Sequence, residues 1–558
     1  MKWTPVAGLL VFTLACSPPD PQAPLVPVEG VFVDVTDESG LGFAFDRARG
    51  GGYFMPDSLA GGCALFDYDA DGDLDVYVVL GLFEDGAVHP DGANRLFRQE
   101  DDGRFTDVSA TSGAAEPGYG MGVAVGDIDN DGDVDLFVTN YGPNALLVNN
   151  GDGTFDNATE RAGVGDARWG ASTGFFDYDG DGFLDLFVSN YVQYEAGPDV
   201  RDSAGQPEYA GPECCPGTAD ILYRNNGDGT FRDISREAGI VDAAGKGLGV
   251  GFADLDLDGR IDVYVANDGE ANRAWVRNRD GGLRDAAGSL GLGLNGYGGA
   301  EASMGVVVAD LDEDRRVDLF LTHLFQETNT LYLASEGDRY ADATPGSGLG
   351  KQSTDFTGFG AAGIDVDLDG RPELAVVNGR VLRTTAESGI APTDHWSRYA
   401  EENLLFWNEG AGRFRQASDE CGAFCGVDVG RALATGDVDN DGDSDLLMTS
   451  ADGRVRLFRN VRPRDGHWLG LRLIDTSGSP DATGTVVELR VGERILRGSV
   501  TPASSYLSSH DPRVLFGLGP AERVDEVHVT WPDGTAEFFD AGQVDRYHAL
   551  VRGEGSGP

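Results

Sequence analysis

Hydrophobic residues in this chain come in short runs, cut at regular intervals by clusters of Asp, Asn and Gly. Helical periodicity sustained over many residues is absent. The same arrangement recurs along most of the length. An apolar run such as Met121-Gly-Val-Ala-Val or Met304-Gly-Val-Val-Val enters a nine-residue acidic stretch, D-x-D-x-D-G-x-x-D. A β-branched or aromatic run such as Leu136-Phe-Val-Thr or Val263-Tyr-Val-Ala leaves it. These flanks have strand composition, so each acidic stretch reads as a loop between two strands. A second signal follows the first six copies: LLVNNGDGTF from Leu146, LYRNNGDGTF from Leu222 and LLFWNEGAGRF from Leu404. Asn-Gly-Asp-Gly between apolar runs marks a hairpin. It leads into an F-x-D-x-[ST] strand, as at Phe105 to Ser109, Phe155 to Thr159 and Phe231 to Ser235. Each repeat therefore holds about four strands, one propeller blade.

Seven copies of the acidic loop begin at Asp67, Asp127, Asp177, Asp254, Asp310, Asp365 and Asp437. The last lacks its F-x-D-x-[ST] strand, whereas an unpaired one stands near the N-terminus, Phe32-Val-Asp-Val-Thr36. Pairing the two closes the ring and removes two exposed sheet edges. The expected fold is all-β: a seven-bladed β-propeller over residues 31–461, then a small β-sandwich or barrel over 462–553 and a tail at 554–558. In that last domain Trp468, Tyr506 and Trp531 read as core.

The chain has 558 residues, a formal charge of −52 and only three lysines, Lys2, Lys246 and Lys351. Such acidity argues against nucleic acid and anionic lipid as partners. The Arg-dominated positive charge is a pattern expected of a GC-rich bacterial genome. The acidity is also concentrated: the seven loops hold 32 of the 94 acidic residues. Calcium takes six to eight oxygen ligands. Carboxylates at positions 1, 3 and 5 of a tight loop can converge, Gly at position 6 permits the bend, position 7 offers a carbonyl, and the acid at position 9 closes the shell. The expected ligands are Asp67, Asp69, Asp71, Asp73 and Asp75 in the first loop, and Asp127, Asp129, Asp131, Asp133 and Asp135 in the second. The third loop offers Asp177, Asp179, Asp181, Phe183 and Asp185, and the fourth Asp254, Asp256, Asp258, Arg260 and Asp262. The sixth offers Asp365, Asp367, Asp369, Arg371 and Glu373, and the seventh Asp437, Asp439, Asp441, Asp443 and Asp445. Position 7 (Asp73, Asp133, Phe183, Arg260, Arg371, Asp443) acts through its backbone. In the fifth loop Asp310, Asp312, Asp314 and Asp318 are weaker candidates, because Arg315 replaces Gly and Arg316 adds a second cation. Five to seven calcium ions are expected.

The N-terminus reads as an export signal over residues 1–16: Lys2, an apolar run from Val6 to Ala15, then Cys16 before a Pro-rich linker at 17–30. This pattern is similar to a bacterial lipoprotein signal with Cys16 as the lipidated residue. Thr13 departs from it, and plain cleavage after Ala15 stays open. Cys421 and Cys425 are the preferred disulfide. Cys214 and Cys215 pair with each other or elsewhere, and Cys63 reads as a buried thiol.

The acidic loops with their apolar flanks resemble the FG-GAP and VCBS repeats of integrin-type propellers. The LYRNNGDGTF turn narrows this to the family that includes cartilage acidic protein and its bacterial relatives. His467-Trp-Leu-Gly-Leu-Arg-Leu, Ala482-Thr-Gly-Thr-Val-Val, Ser505-Tyr-Leu-Ser-Ser-His-Asp-Pro-Arg, Phe516-Gly-Leu-Gly and Val529-Thr-Trp-Pro-Asp-Gly resemble the ASPIC/UnbV domain. The Asp310 loop departs from the pattern, as does Arg380 where relatives often carry His. The resemblance implies calcium binding and a cell-surface or extracellular location. The expected role is a monomeric binding or scaffolding module in the periplasm or on the outer membrane or surface of a bacterium, with a protein or polysaccharide ligand. The lipid anchor would be its only membrane contact. The two longest insertions, Tyr191 to Ile221 and Val381 to Glu402, are expected to rim the ligand face. A calcium-dependent glycan hydrolase or lyase is the alternative. Gly170-Ala-Ser172-Thr-Gly174 and Gly358 to Gly363 match nucleophile-elbow and dinucleotide motifs, but each runs into an acidic loop where those motifs need a helix.

Overall fold

The repeating strand composition builds seven blades of four antiparallel strands each, and in blade 1 two further strands from the C-terminal region extend the sheet to six. The computed structural model describes Met1 and residues 30–557, apart from 44, 46–51, 85–86, 90–91, 196–199, 280, 336, 385–394, 418 and 465. Cys16 and the export signal lie outside the described residues. The inner strands of the blades are Cys63–Phe66, Gly120–Gly126, Gly170–Phe176, Gly247–Ala253, Val306–Ala309, Gly358–Ile364 and Gly430–Gly436. Each packs beside the next, and the seventh beside the first, so the sheets form a closed ring. Phe32–Asp34 supplies the outer strand of blade 7, with Phe32 opposite Asn460 and Asp34 opposite Phe458. The N-terminal strand thus closes the ring as expected.

Two local features explain how tightly the ring closes. Where inner strands converge, only Gly fits: a Cβ on Gly249 would lie 2.0 Å from the Met304 carbonyl oxygen, and one on Gly305 2.1 Å from that of Phe359. Between blades, an amide side chain at the end of the third strand reaches back to the preceding acidic loop. Asn149 Nδ2 donates to the Tyr68 carbonyl (2.8 Å), Asn225 to Ile128 (2.8 Å), Asn408 to Leu311 (3.2 Å) and Asn460 to Val366 (3.1 Å). Gln99 does the same to Val438 across the closure (2.9 Å).

The F-x-D-x-[ST] run is not wholly a strand. In blade 2 the strand stops at Phe155–Asn157, and in blade 1 at Phe105–Asp107. The following Ser or Thr opens one helical turn, because the preceding acid or amide competes for its N–H. Asp107 Oδ1 accepts from Ser109 N at 3.0 Å, and Asp233 Oδ1 from Ser235 N at 2.9 Å. Such local bonding favours a helix start over a ladder.

The C-terminal region forms a sandwich. A three-stranded sheet containing His467–Ile474 faces a four-stranded one containing Val486–Val491, over a core that includes Leu471, Leu489, Val527 and Trp531. It sits on the acidic-loop side of the ring. Its segment 503–509 leaves the sandwich and enters the channel between the inner strands. Ser508–Ser509 pairs in parallel with Cys63–Ala64 of blade 1. Tyr506 Oη donates to the Leu59 carbonyl (2.8 Å) and Leu507 N to Ser172 Oγ (2.9 Å). Trp468 and Trp531 are buried, as expected of core. Tyr506 is buried too, in the ring and not in its own sandwich.

Both disulfides lie within the described residues, Cys421–Cys425 and the vicinal Cys214–Cys215. Cys63 is a free buried thiol, pushed up to about 12 by burial. Among the described residues no helix is long and apolar enough to cross a membrane.

Candidate metal centre

The seven acidic loops share one geometry, set by their own backbone. The position-1 carboxylate accepts two N–H groups from within the loop. Asp67 takes those of Asp71 and Gly72 (both 3.1 Å), and Asp437 those of Asp441 (2.9 Å) and Gly442 (2.7 Å). The position-5 acid accepts the N–H of position 7, as Asp71 does from Asp73 at 2.9 Å. The position-9 acid bridges two strands: Asp135 accepts from Ile128 N (3.0 Å) and Asn149 N (2.8 Å). Glu373 makes the same bridge from Val366 and Asn408, so the longer acid closes its loop equally well.

These bonds draw the acids together. Asp67, Asp69 and Asp71 present ligand oxygens within 4.8 Å of one another. So do Asp127, Asp129 and Asp135; Asp177, Asp179 and Asp185; and Asp254, Asp256 and Asp262. Burial, with the neighbouring acids adding to it, raises the proton affinity of position-1 and position-3 carboxyls such as Asp67, Asp69, Asp127 and Asp129. Burial pushes the position-9 carboxyls of Asp75, Asp135, Asp185, Asp262 and Asp318 up to about 8, with the position-1 and position-3 acids adding to it.

The fit to a cation is sharpest at position 3. One carboxylate oxygen of Asp69, Asp179, Asp256, Asp367 and Asp439 is buried without a hydrogen-bond partner. In four of these the other oxygen meets an arginine: Arg224 at Asp179 (2.6 Å), Arg284 at Asp256 (3.2 Å), Arg462 at Asp367 (3.5 Å) and Arg459 at Asp439. A buried acceptor without a donor is unfavourable by roughly 1–3 kcal/mol, and a hard cation answers that need. An all-oxygen donor set suits such a cation better than a soft metal.

The weaker candidates in the fifth loop also come together, Asp310, Asp312 and Asp318 within the same 4.8 Å. The backbone accommodates Arg315 by holding it at φ 68°, and Asp310 still accepts the Asp314 and Arg315 N–H groups. Of the two cations expected to disturb this loop, Arg316 grips Asp314. The same occurs outside the fifth loop. Arg260 pairs with Asp258 and Arg371 with Asp369, so position 7 contributes a guanidinium to position 5 in three loops.

The sequence reading missed the contribution of the C-terminal sandwich. Asp481 Oδ2 accepts the Asp127 N–H (2.7 Å), Gly517 N donates to Asp365 Oδ2 (3.1 Å) and Tyr547 Oη to Asp437 Oδ2 (2.9 Å). No motif spacing reports contacts so distant in sequence.

The two insertions meet on the opposite side of the ring. Tyr209 stacks on Trp396 (5.9 Å, 15°), and Tyr399 Oη donates to Glu208 (2.7 Å). Tyr194, Tyr209, Trp396 and Tyr399 are buried. Tyr209, Trp396 and Tyr399 pack on one another and Tyr194 on Phe54, Tyr141 and Trp169, so none of the four is exposed. Part of each insertion lies outside the described residues.

The enzyme-like motifs fall in strands. Ser172 is buried in the inner strand of blade 3, and Gly358 to Gly363 lies in that of blade 6. Ser303 Oγ lies 3.1 Å from His323 Nε2, and Glu301 lies 3.8 Å from the same nitrogen. A catalytic triad needs the acid on the other ring nitrogen and a reachable hydroxyl. Ser303 is fully buried.

Family comparison agrees with this geometry. The FG-GAP-like repeat model matches residues 67–138, 127–188, 214–265 and 254–321, and the ASPIC and UnbV model matches 475–557. The chain is an FG-GAP-repeat protein with a C-terminal ASPIC/UnbV domain. The loops of this FG-GAP/ASPIC chain at Asp365 and Asp437 lie beyond the matched repeats, yet keep the same hydrogen bonds. The chain is homologous to cartilage acidic protein 1. It is 25% identical to the Homo sapiens protein over 328 residues, which is 56% of this chain and 37% of that one. With the Xenopus tropicalis protein it shares 25% over 173 residues, 29% of this chain and 25% of that one. The match thus spans well under half of these curated relatives. Among solved structures, an Agrocybe aegerita lectin recognising non-reducing terminal N-acetylglucosamine aligns at TM-score 0.37 and 16% identity, covering 71% of this chain and 86% of that one. BBS1N in complex with ARL6DN aligns at 0.39 and 11%, covering 78% and 98%.

Proposed function

We propose that this protein is an exported, calcium-loaded propeller that serves as a binding or scaffolding module at the cell surface or in the periplasm. The observation that carries the metal assignment is the set of buried position-3 oxygens without partners, each within a converging carboxylate loop. Calcium is favoured by ligand number and by tolerance of irregular geometry. Export rests on the N-terminal pattern and on homology to cartilage acidic protein 1, and a lipid anchor at Cys16 on the N-terminal pattern alone. The ligand would be a protein or a polysaccharide bound on the loops of the rigid ring, a usual place for recognition. The test is capture on a glycan array and on a cell-surface protein array, with calcium and with a chelator. Capture that a chelator abolishes supports the reading. Release of sugar from any glycan, or no capture in either condition, counts against it.

A further inference from the structure

Six of the seven acidic loops have Gly at position 6; the fifth has Arg315, in a left-handed conformation that L side chains avoid. A strained residue of this kind calls for a reason, and its surroundings offer one. A cleft of about 650 Å³ lies between blades 4 to 7 and the C-terminal sandwich, and Arg315 lines it. That is a ligand-sized volume at a domain boundary, where small molecules commonly bind.

Part of the cleft wall is apolar. Ile261, Val308 and Val317 come from the ring, and Val486 and Ile495 from the sandwich; all five are half-buried. Blade 5 leaves Val308 and Ala309 partly exposed here, whereas the inner strands of blades 2, 3 and 4 are buried throughout.

Beside Arg513, which Asp511 holds, three guanidiniums join these walls: Arg315, Arg494 and Arg497. None pairs with a carboxylate among the described residues, in a chain with 94 acids and 42 bases. Arg494 Nη2 donates to the Asp369 carbonyl (2.8 Å), and Arg497 Nη1 to the Arg315 carbonyl. Most acids at the cleft are already engaged. Asp254, Asp310, Asp365 and Asp437 accept the N–H groups of their own loops, and Asp511 is held by Arg513. Glu313 and Glu493 remain, both exposed.

We propose that this cleft binds a small amphiphilic anion, with its apolar body against the valine and isoleucine walls and its carboxylate head on Arg315 and Arg497. The assignment does not depend on which metal fills the loops. It is tested by titrating decanoate and decanol, in a calorimeter, into the calcium-equilibrated full chain and into its Arg315→Gly and Arg497→Gln variants. Arg315→Gly installs the residue of the other six loops at a positive φ, so folding is preserved; a melting curve checks this. Decanoate is expected to bind the parent chain and to weaken by about tenfold or more in each variant, the scale of one lost charge-assisted hydrogen bond. Decanol should bind weakly and equally to all three. Failure of decanoate to bind at millimolar concentration, or equal decanoate affinity in all three proteins, overturns the proposal.

Discussion

At the residue scale, the acids are legible because each is pinned by a repeat, whereas their partners are not. Positions 1, 3, 5 and 9 could be named from spacing alone. The arginines on position 3 could not, since Arg224 lies on the third strand of its blade and Arg284 on the fourth, in different local contexts. The inter-blade amides did leave a trace, as the Asn that ends the third strand in four of the seven blades (Asn149, Asn225, Asn408, Asn460). Their role depends on a neighbouring blade, which a repeat viewed singly does not contain. Asn225→Leu removes donors from the carbonyls of Ile128 and Leu184. It is expected to destabilise the ring by about 2 kcal/mol, given two buried acceptors left without partners. A chemical denaturation midpoint equal to that of the parent would contradict this.

The carboxyls also set a pH dependence. Position-9 acids raised to about 8 are protonated in the metal-free folded chain and ionised when unfolded, above the ordinary carboxylate range near 4. Their contribution is therefore present at low pH and lost as pH rises toward 8. Calcium needs the ionised form, so its stabilising effect should grow over the same interval. Melting curves in chelator should show a midpoint falling between pH 5 and 8. The difference between calcium and chelator should widen.

At the element scale, strands and turns were readable from composition, and the single helical turns after each outer strand were not. A four-residue turn is too short to show a period; only the Asp-x-Ser spacing marks it. The larger surprise is the segment 503–509. Its sequence, ASSYLSS, reads as part of the sandwich, yet it fills the ring's channel. Tyr506 is wholly buried against ring residues such as Phe359 (5.0 Å between ring centroids). Tyr506→Ala should therefore destabilise the ring itself, by about 3–5 kcal/mol, as for other large buried side chains. The check is hydrogen exchange. Faster exchange in the inner strands of blades 1 and 6 is expected; change confined to residues 467–551 would refute it.

At the scale of the whole molecule, seven blades and closure by the N-terminal strand followed from counting loops and noticing one missing strand. The placement of the sandwich did not, because docking is written in scattered residues: Arg494 on Asp369, Arg513 on Asp437, Asp481 on Asp127. Those contacts fall on the acidic loops, so ring, loops and sandwich form one mechanical unit. The central claim is that cations neutralise the converging carboxylates and hold that unit together. It is tested most directly by metal content and thermal unfolding measured on one sample, with calcium and after chelation. The expected result is about five to seven calcium ions per chain, the capacity of loops built for oxygen-rich coordination, and a sharply lower midpoint once they are removed. A chain that holds little metal, and melts at the same temperature in chelator, would contradict it.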